Sequence, residues 1–123
     1  IFYENGKKKS DKDLKKYVAN LENAGCGEII LTSIDREGTR KGFDIELYKL
    51  IQNEVHLPII AHGGASGIGS FNELFDNTDI SSASAGSAFV YFGKRKAVLI
   101  NYPEKKELDL IMTKYEGKNI FND

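Results

Sequence analysis

Short continuous apolar runs alternate along the chain with segments in which apolar side chains recur every three or four residues. A short unbroken apolar run is typical of a strand that is buried on both faces of a parallel sheet. The three- and four-residue spacing is typical of an amphipathic helix. The pattern therefore predicts strands and helices in alternation, at residues 1–3, 11–25, 28–33, 44–55, 59–62, 70–76, 81–85 and from 103 onward, with a further strand-like run at 97–100.

Each predicted helix has one apolar face. The residues expected on these faces are Leu14, Tyr17, Val18, Leu21, Leu47, Leu50, Ile51, Phe71, Leu74, Phe75, Leu108, Ile111, Met112 and Tyr115. Ser10 or Asp11 can cap the first helix, and Ser70 with Glu73 has the spacing of a capping box at the start of the third. Buried strands in alternation with such helices indicate an α/β fold with a parallel sheet, here four βα units. Since no linker divides residues 1–123, we predict a single domain.

The charge balance narrows the class of protein. The chain has 17 Lys and Arg against 18 Asp and Glu, with a formal net charge of −1. Nucleic-acid-binding domains carry a basic excess, which is lacking here. The basic run at residues 7–9 follows a turn signal at Asn5 and Gly6, and we interpret it as a solvated loop. The longest apolar runs have about six residues, far short of the roughly 20 that span a bilayer. We therefore expect neither nucleic acid nor a membrane as a partner.

The sulfur and imidazole side chains are few. The chain has one cysteine, Cys26, and two histidines, His56 and His62. One cysteine forms no internal disulfide, and these three residues do not make a zinc cluster. We therefore expect no metal, no cofactor and a reducing, cytoplasmic location. The chain starts at Ile1 and its only methionine is Met112, which predicts that the sequence is a piece of a longer chain.

Glycine and small polar residues directly follow three of the predicted strands. The candidate residues are Thr32, Glu37, Gly38, Thr39, Gly63, Gly64, Gly86 and Ser87. The carboxyl ends of parallel strands lie at one edge of a sheet, where the N–H groups of glycine-rich loops and helix N-termini bind anions. We therefore predict a site for a phosphorylated small molecule at this edge. The alternative is that the glycines only form tight strand-to-helix turns.

Ionisable side chains near these loops allow two interpretations. His62 ends the third predicted strand and could act as a base or bind a ligand, although a histidine with no partner visible in the sequence is usually a packing or solvent-facing residue. Asp35 and Glu37 flank Arg36. These carboxylates could orient a polyol or act as acid and base. Alternatively, Asp35 and Arg36 form an ion pair that only holds the loop.

The segment from residue 25 to residue 65 carries a specific resemblance. It contains GCGEIILTSIDREGT at 25–39, GFD at 42–44, LPIIA at 57–61 and GGA at 63–65. These motifs resemble the cyclase subunit of imidazole glycerol phosphate synthase, and the likeness extends from Tyr3 to Ser87. That family has a (β/α)8 TIM barrel fold of the ribulose-phosphate-binding type. The resemblance therefore implies that this chain is the C-terminal half of such a barrel, from the end of strand five through helix eight.

The resemblance also implies a reaction, a partner and residue roles. The family uses ammonia to convert a ribulosyl-aminoimidazole carboxamide nucleotide to imidazole glycerol phosphate and an aminoimidazole carboxamide ribotide, in histidine biosynthesis. A glutaminase docks on the N-terminal face of the barrel and sends ammonia through its core, and Glu28 resembles a residue of the ring that gates ammonia entry. Thr32 resembles a residue that faces the substrate. The positions that resemble the group holding one substrate phosphate are Glu37, Gly38, Gly63, Gly64, Gly86 and Ser87.

Departures from the family pattern leave alternatives open. The catalytic aspartates of the family lie on strands upstream of Ile1, so the resemblance places no catalytic residue in this chain and implies that the chain alone is inactive. Glu37 stands where the family usually has Asp, and His62 where it more often has a small residue. The segment at residues 89–103 is unlike that of the histidine-pathway enzymes. It resembles the corresponding segment of the glycosyl amidation-associated paralogues, which are encoded with surface-polysaccharide genes, and His62 points to the same group.

A further alternative is a non-catalytic scaffold that docks a glutaminase and conducts ammonia. For the isolated chain, the implied half-barrel has a direct physical consequence. Half a barrel leaves strand edges unpaired and one apolar sheet face uncovered, and such surfaces invite pairing with another copy. We therefore expect the isolated 123-residue chain to self-associate or to be poorly soluble.

Overall fold

The structure, a computed structural model, describes residues 1–92 and 97–119. The basic stretch at residues 94–96 and the side chain of Tyr115 lie outside the described residues. In chain order, the elements are β1 (Phe2–Tyr3), β2 (Lys8–Lys9), α1 (Leu14–Asn23), β3 (Ile29–Thr32), α2 (Ile45–Ile51), β4 (Ile59–His62), α3 (Ile68–Asn77), β5 (Ser82–Ser84), α4 (Ser87–Val90), β6 (Tyr91–Phe92), β7 (Ala97–Val98) and α5 (Lys105–Asn119).

Strands β3, β4 and β5 form a parallel sheet in that order. The α/β fold with a parallel sheet is therefore confirmed. Strand β4 has the predicted bounds, because Pro58 and Gly63 delimit a short apolar run on both sides. In the register of the sheet, Thr32 lies beside His62, and His62 lies beside Ser84.

The two faces of this sheet have different surroundings. Ile29, Ile59 and Ala61 belong to the buried core that also contains side chains from α1, α2 and α3. Because successive side chains of a strand point to opposite faces, Ile30 lies on the other face, where it is 64% exposed. The expectation that residues 28–33 are buried on both faces is therefore wrong for Ile30, since the three helices cover only one face.

The first predicted strand does not join the parallel sheet. Strand β1 pairs instead with β2 in an antiparallel hairpin, with Phe2 beside Lys9. Glu4, Asn5 and Gly6 have φ angles of 51°, 56° and 80°, and this left-handed turn folds the chain back on itself. The prediction of four βα units is therefore wrong at its first strand, and the basic run at 7–9 is partly a strand rather than a loop.

The first two helices differ in detail from the prediction. Helix α1 is capped by Asp13, whose carboxylate accepts a hydrogen bond from the Lys16 N–H at 2.9 Å, rather than by Ser10 or Asp11. Helix α2 ends at Ile51 instead of extending to Val55. Leu50 was expected on its apolar face and is exposed, whereas Tyr48 is fully buried.

Helices α3 and α5 also depart from the sequence pattern. Helix α3 begins after Gly67, so Ser70 lies inside the helix and donates from its hydroxyl to the Gly67 carbonyl at 2.7 Å. The capping-box prediction is therefore wrong. In α5, Ile111 is buried but Leu108 and Met112 are exposed, so the described part of the chain covers only part of the apolar face of this helix.

Candidate functional site

The loops that follow β3 and β4 are joined at the carboxyl edge of the sheet. The Ser33 N–H donates to the His62 carbonyl at 3.0 Å, and the Gly42 N–H donates to the Gly64 carbonyl at 2.8 Å. These two bonds extend the pairing of the strands beyond their ends. The predicted residues of both loops are therefore held next to each other.

The loop after β3 is also bonded within itself. The N–H groups of Arg36 and Glu37 donate to the Ser33 carbonyl at 3.1 and 2.9 Å. The Thr39 hydroxyl donates to the Arg36 carbonyl at 2.7 Å, so its proton is used in a bond within the loop. Gly38 has a φ of 71°, which favours glycine at this turn. Among the ion pairs of the described residues there is none between Asp35 and Arg36, so backbone bonds hold this loop.

Gly63 and Gly64 have a packing reason to be glycine. Their φ angles are 104° and 92°, in the left-handed region. A Cβ atom at Gly63 would lie 2.7 Å from the Ser33 carbonyl oxygen, and one at Gly64 would collide with the Gly42 carbonyl oxygen. The tight approach of the two loops thus accounts for both glycines, as the turn alternative expects.

His62 connects the two loops through its side chain. Its Nδ1 lies 3.1 Å from the Thr32 hydroxyl oxygen, and its Nε2 lies 3.7 Å from Glu37 Oε2. The His62 side chain is 30% exposed and that of Glu37 is 43% exposed, so this cluster faces solvent in part. The sequence offered no partner for His62. The structure supplies two, one on the neighbouring strand and one on the loop that follows it.

Tyr48 supports the site from the buried side of the sheet. Its hydroxyl lies 3.1 Å from the Leu31 carbonyl and 2.9 Å from the His62 carbonyl, and it accepts from the His62 N–H at 3.1 Å. Burial raises the pKa of Tyr48 to about 12; the bond with the His62 backbone lowers it, and the charge of Asp44 raises it further. The hydroxyl thus stays protonated and fixes the carboxyl ends of β3 and β4.

Asp44 and Ser33 form a second polar pair near this edge. The Ser33 hydroxyl donates to Asp44 Oδ2 at 2.9 Å. The other oxygen, Oδ1, accepts from the Leu47 N–H at 3.2 Å and so caps α2. The sequence places Asp44 at the start of a helix and in the GFD motif at 42–44, but does not predict its bond with Ser33. Its link to Ser33 ties that helix to the loop after β3.

The remaining predicted site residues are placed differently. Gly86 and Ser87 follow β5, which adjoins β4, and Ser87 begins the four-residue helix α4. No hydrogen bond among the described residues joins them to Gly63 or Gly64. Glu28 is exposed beside the amino end of β3, at the edge opposite the loops. The carboxyl edge thus unites the β3 and β4 loops, while Gly86 and Ser87 are brought near it by strand order alone.

Residues 1–92 and 97–119 contain no group of three His, Cys, Asp or Glu side chains arranged to hold a metal ion. Among the helices of the same residues, none is long and apolar enough to span a bilayer.

The chain is similar to known proteins over most of its length. Residues 1–96 match the family described as histidine biosynthesis protein. A Pseudomonas aeruginosa protein provisionally named imidazole glycerol phosphate synthase subunit hisF2 is 46% identical over 110 residues, which are 89% of this chain and 44% of that protein. A Leptospira borgpetersenii protein provisionally named subunit HisF is 46% identical over 103 residues, 84% of this chain and 41% of that protein.

A relative with a firm name is somewhat less similar. The imidazole glycerol phosphate synthase subunit HisF of Leuconostoc mesenteroides is 38% identical over 96 residues, 78% of this chain and 37% of that protein. The chain thus spans less than half the length of these three relatives.

Proposed function

Because this chain belongs to the histidine biosynthesis protein family, we propose that it is part of a cyclase subunit of imidazole glycerol phosphate synthase, and that residues 1–123 form the C-terminal half of its (β/α)8 barrel as a single domain. Relatives with HisF names support this proposal. The sheet face that carries Ile30, which the three helices leave uncovered and which is called the open face below, supports it as well. In a barrel, the side chains of other strands cover this inner side of each strand. In that barrel, Ile30 belongs to the packed interior.

The proposed reaction takes place at the carboxyl edge. There, the loops after β3 and β4 bind one phosphate of a ribulosyl-aminoimidazole carboxamide nucleotide, and Thr32 faces the substrate. The observation that carries this assignment is the junction of the two loops, with Thr32, His62 and Glu37 clustered above it. In this proposal, strands of the barrel outside this chain supply the catalytic aspartates.

A glutaminase is the proposed source of ammonia. It docks on the amino-terminal face of the barrel, where Glu28 is exposed beside the start of β3. Glu28 belongs to the entrance of the ammonia path, at the opposite end of the strand from Thr32. Ammonia made by the partner therefore passes along the sheet toward the site.

The second candidate function is that of a sugar amidation-associated paralogue. Two relatives that match more than 100 residues of this chain have only provisional subunit names, whereas four firmly named subunits match between 72 and 96 residues. His62, which stands where the cyclase family more often has a small residue, also lies beside Thr32 and Glu37 in the candidate site. This candidate keeps the barrel, the phosphate loops and the glutaminase, and differs in the molecule that receives the nitrogen.

The deciding experiment uses the full-length protein, the ribulosyl-aminoimidazole nucleotide and an ammonium salt, with formation of imidazole glycerol phosphate as the readout. We expect turnover. A folded protein that has both upstream aspartates and gives no product would overturn the proposal and favour sugar amidation. A folded protein that lacks those aspartates would be the non-catalytic scaffold.

The role of Glu28 is tested in the same assay. Glu28→Gln should leave the ammonium-dependent rate unchanged and lower the rate with glutamine and the glutaminase by about tenfold, a loss of about 1.4 kcal/mol in the transfer of ammonia. Glu46→Gln is the matched control, because Glu46 is an exposed carboxylate on α2. Equal rates for both variants with glutamine would remove Glu28 from the ammonia path.

A further inference from the structure

Three polar side chains form a row across the open face of the sheet, at its carboxyl end. Thr32, His62 and Ser84 are register neighbours on β3, β4 and β5, so their side chains point to the same face. His62 is the central member. Glu37 approaches it from the loop after β3, with 3.7 Å between the carboxylate Oε2 and the imidazole Nε2.

Glu37 creates an electrostatic problem at a phosphate site. A carboxylate and a phosphate repel each other, so binding a phosphate beside Glu37 requires a compensating cation. Among the ion pairs of the described residues, the one that involves Glu37 is with His62. Histidine is the side chain that gains a charge near neutral pH. His62 is therefore placed to offset the carboxylate.

The other groups packed against His62 do not supply that charge. From α2, the neutral Tyr48 hydroxyl bonds with its backbone, and Asp44 is held by the Ser33 hydroxyl. From β5, its register neighbour is the uncharged Ser84. Arg36 and Arg40 lie in the same loop as Glu37, but neither forms an ion pair with it among the described residues. The Arg40 Nη2 donates to the Ser66 carbonyl at 3.4 Å, and its buried Nε has no hydrogen-bond partner in the part of the chain that the structure describes. Among the ion pairs of the described residues, Glu37 is thus the charged partner that approaches the imidazole.

We propose that His62 is a proton-linked positioning residue of the phosphate site, so that the binding of a phosphate at this edge is coupled to the uptake of one proton by the imidazole. This inference rests on the phosphate site of the proposed function. The proton comes from solvent and forms a second N–H bond on the imidazole, while no bond of the phosphate changes. In the protonated ring, Nε2–H faces Glu37 and neutralises its charge.

Protonation also changes the bond to Thr32. In a neutral ring with its proton on Nε2, Nδ1 accepts the Thr32 hydroxyl proton across their 3.1 Å separation. In the protonated ring Nδ1 becomes a donor, so the bond reverses and the Thr32 hydroxyl is free to donate elsewhere. The same proton therefore cancels a repulsive charge and prepares a donor for a phosphate oxygen.

The test measures binding of inorganic phosphate to the full-length protein by calorimetry between pH 6 and pH 8. The affinity of the natural protein should exceed that of His62→Asn by about tenfold at pH 6 and by little at pH 8, a coupling of the size usual between two linked ligands. The ratio of the two affinities removes the titration of phosphate itself. His56→Asn is the matched control, since His56 also faces a glutamate, at 3.6 Å from Glu22, but is fully exposed and outside the site.

Glu37→Gln, alone and combined with His62→Asn, distinguishes an effect of the His62 charge from a merely structural role of His62. Glu37→Gln removes the repulsion, so His62→Asn in that background should lose little affinity at any pH. A structural role for His62 would give the same loss with or without the charge of Glu37. A constant affinity ratio across pH, or additive losses in the double variant, would overturn the inference.

The proposed function can stand or fall independently of this result. Turnover of the nucleotide together with a constant affinity ratio would reject the proton coupling and leave the cyclase assignment intact. Proton-linked phosphate binding without turnover would support the role of His62 and reject the proposed reaction. Failure of the natural protein to bind millimolar phosphate at any pH would overturn the inference about His62, whatever the turnover assay gives.

Discussion

The two faces of the three-stranded sheet differ in burial and in the side chains that they carry. On the covered face, Ile59 and Ala61 pack into a core with Leu74 and Tyr48. On the open face, Ile30 is largely exposed, and the polar row of Thr32, His62 and Ser84 follows at the carboxyl end. Because side chains alternate along a strand, a residue that stabilises the fold and a residue of the candidate site are a single position apart.

Tyr48 contributes both to the buried core and to the strand ends that carry the candidate site. Its ring is buried in the core, while its hydroxyl meets the carbonyl groups of Leu31 and His62. The backbone of the strand ends is therefore fixed from the covered face, and the His62 side chain projects from a support that does not depend on the open face. The comparison predicts that stability and ligand binding respond to different substitutions.

The largest expected difference is between Leu74→Ala and Ile30→Ala in the 123-residue chain. Leu74 is fully buried on the covered face, so its truncation leaves a cavity and should lower the free energy of unfolding by about 3 kcal/mol. Ile30→Ala removes side-chain atoms that mostly contact water, and its cost should stay below about 1 kcal/mol. Urea unfolding of both variants measures this difference.

The full-length protein sharpens the same comparison. If the open face is the interior of a barrel, Ile30→Ala should cost about 2 kcal/mol or more there, because the side chain is then buried. An equally small cost in both lengths of chain would mean that the open face is a true surface, against the half-barrel proposal.

Tyr48→Phe is the next largest change. It keeps the ring in the core and removes the hydroxyl, which leaves the His62 N–H without that partner and should cost about 2 kcal/mol. The hydroxyl also predicts a pH dependence, since its pKa is raised from 10.0 to about 12 in the folded chain. The unfolded state releases this proton first, so the contribution of Tyr48 to stability is complete below pH 10 and is lost as the pH rises toward 12.

Urea unfolding at pH 9 and pH 11 measures both effects of Tyr48. The natural chain should lose stability between these values by more than Tyr48→Phe does. Equal losses would show that Tyr48 does not cause this part of the pH dependence and that its hydroxyl is less buried than the structure has it.

The sequence predicted the sheet better than it predicted the chain's beginning. Strand β4 was found with its true bounds because Pro58 and Gly63 interrupt the pattern on both sides. Residues 1–3 were assigned to the same sheet, since a run of three apolar residues does not distinguish a parallel strand from a hairpin arm. The turn at Glu4, Asn5 and Gly6 decides that question. Tyr48 shares a helix face with Ile51, three residues later, but the partners of its buried hydroxyl lie on strands distant in sequence, so the pattern does not predict them.

The candidate site was predicted in its location but not in its pairing. Strand order was enough to bring Gly63 and Gly64 to the edge where Glu37 lies. The contact of His62 with Glu37 and Thr32 depends on the register between β3 and β4 and on the path of the loop. Residue patterns do not fix either quantity. For the same reason, the close approach that requires glycine at position 64 is visible only in three dimensions.

The smallest expected effect concerns the open face as a contact surface between copies. We expect the isolated 123-residue chain to self-associate. Ile30 offers apolar area to a second copy, and β3 offers the backbone groups of an edge that no strand pairs with among the described residues. Ile30→Lys should weaken this association about tenfold, which corresponds to the loss of about 1.4 kcal/mol of apolar burial, with little change in stability. Sedimentation equilibrium of the natural chain and the variant measures the effect, with Lys49→Gln on the outer side of α2 as a control that should not alter it.

A natural chain that stays monomeric at every concentration would contradict the expectation. Unchanged association in Ile30→Lys would place the contact elsewhere than on the open face.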